Sequence, residues 1–159
     1  MTRLRNLLLA LAALPGLLVD ARQRRLFAEM RAFCRRLPAA LAAPLPEVLA
    51  SFTPPTSDLQ LPTSDFLLPT STIRRLADVA ALLDRRSPLG VCLRRSLTRY
   101  HYLRRAGLPV FVQFGARFVR GQPDREIAGH AWLTLDGQPY FEDGENYRGF
   151  TVMMTFPST

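Results

Sequence analysis

Apolar residues recur along this chain in two rhythms. In the first half they come three and four apart. Over residues 21–36, Leu26, Met30 and Phe33 line one side with arginines between them, which predicts an amphipathic helix. The helical pattern reaches from about residue 2 to 36, with a break near Pro15-Gly16. Cys34 adjoins the apolar face and fits there as a small buried hydrophobe. From Pro38 to Pro69 the rhythm is lost, with seven prolines in 32 residues. A short Pro-Thr-Ser repeat begins at Pro55, Pro62 and Pro69. Prolines seven apart cannot continue one helix, because each lacks an N–H and clashes with the preceding turn. This stretch reads as a connector laid against the body through Leu59, Leu61, Phe66, Leu67 and Leu68.

The helical rhythm returns at Ser71 or Thr72, either of which can cap a helix running to about Arg86, with Ile73, Leu76, Ala80 and Leu83 on one face. A second helix starts between Ser87-Pro88 and Gly90, carries the apolar stripe Leu89, Leu93, Leu97, Tyr100 and Leu103, and ends at Gly107. The rhythm then shortens to two. Residues 110–118 predict a strand, and residues 129–135 a second one. Asp136-Gly137 is a hairpin turn, and residues 138–143 complete the meander. Helices followed by an antiparallel meander predict an α+β fold. Three regions follow: a helical segment over 1–37, a Pro-rich connector over 38–72, and an α+β domain over 73–159.

Composition changes this picture in two places. The chain has 21 basic and 13 acidic residues, for a net charge of +8, and every basic residue is arginine. Arginine codon preference accounts for that bias, and an arginine-covered surface also attracts acidic partners. The arginines are scattered, with no aromatic-basic motif or zinc finger among them, so nucleic acid is not the expected partner. Residues 7–19 form an apolar run after Arg3 and Arg5, which has the form of a secretory signal. Pro15-Gly16 inside the run and the Arg-rich stretch after it oppose that reading, and the run is too short for a stable membrane span. It reads as a buried or membrane-touching helix of a cytoplasmic protein, with secretion left open.

Two cysteines and two histidines limit the candidate chemistry. They make no disulfide framework and show none of the short spacings of a metal site, so neither metal nor cofactor is expected. Cys92 lies in the first turns of its helix, where unpaired N–H groups and the dipole favour a thiolate, and Arg94, Arg95 and Arg99 add positive potential. His101 is nine residues further on, half a turn out of phase, and reads as an exposed structural residue. His130, in Gly129-His130-Ala131-Trp132, is the remaining base. A two-residue turn at Asp136-Gly137 sets Asp143 opposite it, whereas a three-residue turn sets Glu142 there. Either carboxylate can orient the imidazole as a nucleophile–base–orienter arrangement requires. The backbone N–H of Cys92 is the natural oxyanion donor, with Gln113 as a candidate second.

At Cys92-Leu93-Arg94-Arg95-Ser96-Leu97, Leu103 to Pro109 and His130-Ala131-Trp132-Leu133, the chain resembles the transglutaminase-like leader peptidases of lasso-peptide biosynthesis, the B2 proteins. The resemblance covers about residues 73–145. It implies a papain/transglutaminase-like fold with a Cys–His–Asp/Glu triad, in which the acidic residue twelve positions after the histidine is Glu142. It also implies cleavage of a leader from a precursor peptide, delivered by a small leader-binding protein, before a cyclase closes the ring. The expected activity is that of a cysteine peptidase working through a thioester. The alternative is a non-catalytic module that binds a peptide or partner on the same fold.

Overall fold

The computed structural model describes residues 15–53, 68–119 and 126–158. Most of the Pro-Thr-Ser repeat and residues 7–14 of the apolar run lie outside them. Residues 15–19 are helical, and Asp20 then caps α1 (Ala21–Ala40), its carboxylate accepting from the N–H groups of Arg22 and Gln23. Leu26, Met30, Phe33, Cys34 and Leu37 are the buried stripe of α1, and Cys34 is fully enclosed. The helix runs past its expected end because Pro38 falls in the last turn, and the ladder resumes with Leu41 N–H to Leu37 O at 2.9 Å.

Within the stretch expected to be a connector, α2 (Leu45–Phe52) forms with Pro44 as its N-cap and Pro46 in its first turn. There an N–H would have no partner anyway, so these prolines start a helix and do not break one. The next helix, α3 (Thr70–Leu83), begins slightly earlier and ends three residues sooner than its sequence pattern predicted. Leu83, expected on the apolar face, is exposed.

Helix α4 (Val91–Arg105) starts at Gly90, not at Ser87-Pro88. Ser87 makes a local turn instead, its hydroxyl accepting from Leu89 N–H at 3.3 Å. At the other end Gly107, at φ 83°, allows a reversal sealed by Gly107 N–H to Arg104 O and Leu108 N–H to Leu103 O, each 2.9 Å.

Four antiparallel strands follow: β1 (Phe111–Phe118), β2 (Ile127–Leu135), β3 (Gln138–Pro139) and, after the short helix α5 (Gly144–Tyr147), β4 (Thr151–Phe156). Their order in the sheet is β3-β2-β1-β4. Of the two turns left open by the sequence, the β2–β3 turn is the two-residue one, with Asp136 at φ 50° and Gly137 at φ 75°, and Leu135 pairs with Gln138. The strand expected over 138–143 stops at Pro139, because Phe141 takes φ 49° and carries the chain out of the ladder.

The architecture is α+β, as the sequence predicted. One core joins α1, α2, α3 and α4 to the sheet through Leu37, Leu49, Ile73, Leu97, Leu103, Val112 and Leu133. Each large apolar side chain fully buried there contributes about 1.5–3 kcal/mol. The described part of region 1–37, residues 15–37, therefore shares its core with the helices of region 73–159. Among the described residues no helix is long and apolar enough to cross a membrane.

Candidate functional site

β3 pairs with Thr134 and Leu135, and Tyr140 N–H still reaches Leu133 O at 2.8 Å; beyond that point the edge of β2 is left for a different neighbour. Helix α4 supplies it. Steps of about 100° per residue place Cys92, Arg95, Ser96 and Arg99 on one face of α4. That face lies against the β2 edge. Ser96 Oγ donates to Ala131 O at 2.7 Å, and the backbone of Ala131 helps to lower the pKa of the Cys92 thiol. One residue of an open strand edge thus fixes the helix in register and acts on the sulfur.

His130, next to Ala131 on β2, pairs with Gly115 of β1. Its ring stacks on Trp132 at 5.8 Å between centroids and leans on Phe150 at 5.3 Å. A β-carbon at position 115 would lie 2.8 Å from the Trp132 ring, so glycine there lets the indole lie across the sheet beside the imidazole. Interaction with His130 is the main cause that lowers the Cys92 thiol pKa against the opposing effect of burial. The same contact with Cys92, followed by the interaction with Glu142, raises His130 to about 9. Both groups are thereby driven to their charged forms.

The third group is Glu142, whose Oε1 lies 3.7 Å from His130 Nε2. That distance makes an ion pair and leaves Nε2 without a hydrogen bond. The two-residue turn would place Asp143 opposite His130 if β3 continued. It does not continue: the left-handed Phe141 shifts the chain, so that Glu142 turns inward and Asp143 becomes the N-cap position of α5. The Glu142 side chain is 1 % exposed and takes Arg95 Nη2 on both oxygens, at 2.6 and 2.7 Å. Burial pushes its carboxyl up, but His130, Arg95 and Arg99 together bring it below the ordinary value.

A cleft of about 310 Å³ opens over the sulfur, lined by Gly90, Cys92, Phe114, Gly115, Gly129 and His130. No side chain caps the start of α4, and the backbone of Leu93 helps to lower the pKa of the Cys92 thiol. A negative charge formed next to Cys92 would meet these helix N-terminal groups. Gln113, the candidate second donor, pairs with Trp132 on β1 and is not among the residues lining this cleft. Beyond the cleft, Ala116, Phe118, Ile127, Thr151 and Met153 line an apolar groove of about 700 Å³.

His101 is not the exposed residue its sequence position suggested. It stacks on Phe33 at 4.7 Å, its Nδ1 meets Phe52 O at 2.8 Å, and burial lowers its pKa. Sequence reasoning gave Arg95 only a general positive potential beside Cys92 and left Ser96 without a role. Their signal was the spacing of three and four from Cys92, which puts them on its helix face. Among the described residues no group of three or more His, Cys, Asp or Glu side chains is placed to hold a metal ion.

No curated protein and no solved structure matches the chain. A family model does match, that of the Transglutaminase-like superfamily, over residues 10–155. That span takes in α1 and α2 as well as the cleft, in keeping with their common core. With a cysteine at a helix start, a histidine on the adjoining strand and this match over most of its length, the chain belongs to the transglutaminase-like superfamily.

Proposed function

We propose that the chain is a cysteine peptidase that removes the leader from a ribosomally made precursor peptide, as in lasso-peptide maturation. The observation that carries this reading is the Cys92 thiol held against His130, with Glu142 behind the imidazole, at the floor of an open cleft. The superfamily includes cysteine peptidases, and the Cys92–Leu97 and His130–Leu133 motifs resemble the leader peptidases among them.

In this reading the Cys92 thiolate attacks the scissile carbonyl carbon, and the carbonyl oxygen becomes an oxyanion beside the first N–H groups of α4. As the C–N bond breaks, the His130 imidazolium gives its proton to the leaving amine. A thioester on Cys92 remains. Neutral His130 then takes a proton from water, the hydroxide adds to the thioester, and its collapse releases the carboxylate and restores the thiolate–imidazolium pair. Glu142 stabilises the imidazolium in both halves. The partners of such an enzyme are the precursor leader, a small leader-binding protein and a cyclase.

The test is incubation of the full chain with a lasso-type precursor peptide, with and without a small leader-binding protein, read by mass spectrometry. Cleavage at one leader–core junction is expected from the wild type and none from Cys92→Ala. Leader binding without cleavage by both proteins would replace the peptidase with a binding module on the same fold.

A further inference from the structure

Glu142 lies past the sheet's backbone bonding, since the last bond to β2 is Tyr140 N–H to Leu133 O and Phe141 is left-handed. What holds it is a set of charges. Arg95 Nη2 reaches both carboxylate oxygens, and Asn146 Nδ2 donates to Oε1 at 3.2 Å. Arg99 Nη1 lies 3.9 Å from Oε2 while its Nε and Nη2 grip Asp78 at 2.5 and 2.7 Å. Arg74 closes the far side, 3.5 Å from Asp78 and with its guanidinium 4.1 Å over the Phe141 ring. From β2 the carboxylate is faced by His130, and from α4 the cleft is faced by Cys92.

A carboxylate this deeply buried needs a paired cation, and leaving it alone would cost several kcal/mol. Arg99 is already committed to Asp78, so the pairing falls to Arg95. Arg95 meets both oxygens through one nitrogen. This contact restrains where the carboxylate sits while allowing it to rotate about that nitrogen, and rotation is what closing the 3.7 Å gap to His130 Nε2 requires.

We infer that Arg95 is a positioning residue that clamps Glu142 beside His130 and thereby sets the thiolate–imidazolium pair of Cys92 and His130. The inference rests on the proposed roles of Cys92, His130 and Glu142. It explains why an arginine stands three residues after the cysteine: one helical turn puts a cation on the cysteine's own face, within reach of the chain that leaves β3.

The experiment needs no peptide substrate. The rate of Cys92 alkylation by iodoacetamide is measured against pH in the full chain, with Cys92 followed by peptide mass spectrometry. The wild-type midpoint should fall well below that of an ordinary thiol. Arg95→Gln should raise it by about half a pH unit or more, because Glu142 loses its counter-charge and its place. Arg95→Lys should raise it less. In a Glu142→Gln background, Arg95→Gln should add at most a small fraction of that shift, since the clamp would have nothing left to hold. A wild-type midpoint in Arg95→Gln, or the full shift persisting in the Glu142→Gln background, would overturn the inference. If Arg95→Gln does not fold, Arg95→Lys decides, and a wild-type midpoint there overturns it. An ordinary midpoint in the wild type itself would instead sink the peptidase reading.

Discussion

Two cysteine and histidine environments exist in this molecule, and they drive the same groups in opposite directions. Cys34 lies in α1 against Thr98 Oγ1 at 3.2 Å, and His101 stacks between Phe33 and its neighbours at the other end of α4. Burial dominates there. It raises the Cys34 thiol and lowers the His101 imidazole, so that both are held neutral. Cys92 and His130 are also partly buried, yet the thiol is lowered and the imidazole raised to about 9. The difference lies in partners. Each of the second pair is the other's partner, and Glu142 stands behind them. Desolvation alone makes a residue inert, whereas desolvation with a charge partner makes it reactive.

The largest expected effect comes from exchanging the cysteines. Cys92→Ala should remove leader cleavage and all rapid alkylation at neutral pH, a loss of about a thousandfold or more. Cys34→Ala should leave both rates near wild type and cost about 1–2 kcal/mol of stability through the small cavity it opens. Thermal unfolding and timed alkylation separate the two outcomes. Rapid alkylation of Cys34 instead of Cys92 would dissolve the contrast.

The histidines come next. His130→Ala should slow peptide cleavage by about 10²–10⁴-fold, the range of a lost general acid–base. His101→Ala should leave catalysis unchanged but destabilise by about 1–3 kcal/mol, because it strands the Phe52 carbonyl and removes the stack on Phe33. Equal catalytic losses in both variants would mean that the two environments are coupled.

A smaller effect is the shape of the pH profile. The reactive pair exists above the lowered pKa of Cys92 and below that of His130, near 9. Cleavage needs the imidazolium proton and should decline as pH rises through about 9. Alkylation needs only the thiolate and should persist there. Because the two groups are coupled, both limbs belong to the pair and not to either residue. Parallel decline of the two rates above pH 9 would remove His130 from the proton-donating role.

Much of this was legible in the sequence where the determinant is local. The hairpin turn follows from Asp136-Gly137, and the capped reversal after α4 from Gly107. The positions of Cys92 and His130 follow from helical and strand periods. Where the chain's course depended on tertiary context, sequence reasoning fell short. The hairpin turn in its two-residue form pointed to Asp143, and only the left-handed Phe141, held by Arg99 on its carbonyl and Arg74 on its ring, brings Glu142 in. Helix α2 was hidden because prolines at a helix start look like breakers. The particular partners of Arg95 and Arg99 were hidden by abundance, since in a chain of 21 arginines those that turn inward look like those that do not.

The smallest expected effect concerns the floor beneath His130. Gly115 is paired with His130, and a methyl group there would lie 2.8 and 2.9 Å from Trp132 ring atoms and 3.1 Å from Phe150 Cβ. A rigid indole cannot yield as a flexible chain end would, so Gly115→Ala should tilt Trp132 and with it the imidazole stacked on it. Such an aromatic contact is worth about 0.5–1.5 kcal/mol, which corresponds to a fall in cleavage rate of roughly two- to twelvefold. Trp132 is the single tryptophan of the chain, so its fluorescence reports the tilt directly. Gly129 supplies the control on the other side of the same histidine: nothing lies within 4 Å of a β-carbon placed there, and Gly129→Ala should leave the fluorescence unchanged. A fluorescence change in Gly115→Ala with an unaltered cleavage rate would show that the ring stack packs the sheet without orienting His130. The orientation would then rest on Cys92 and Glu142 alone.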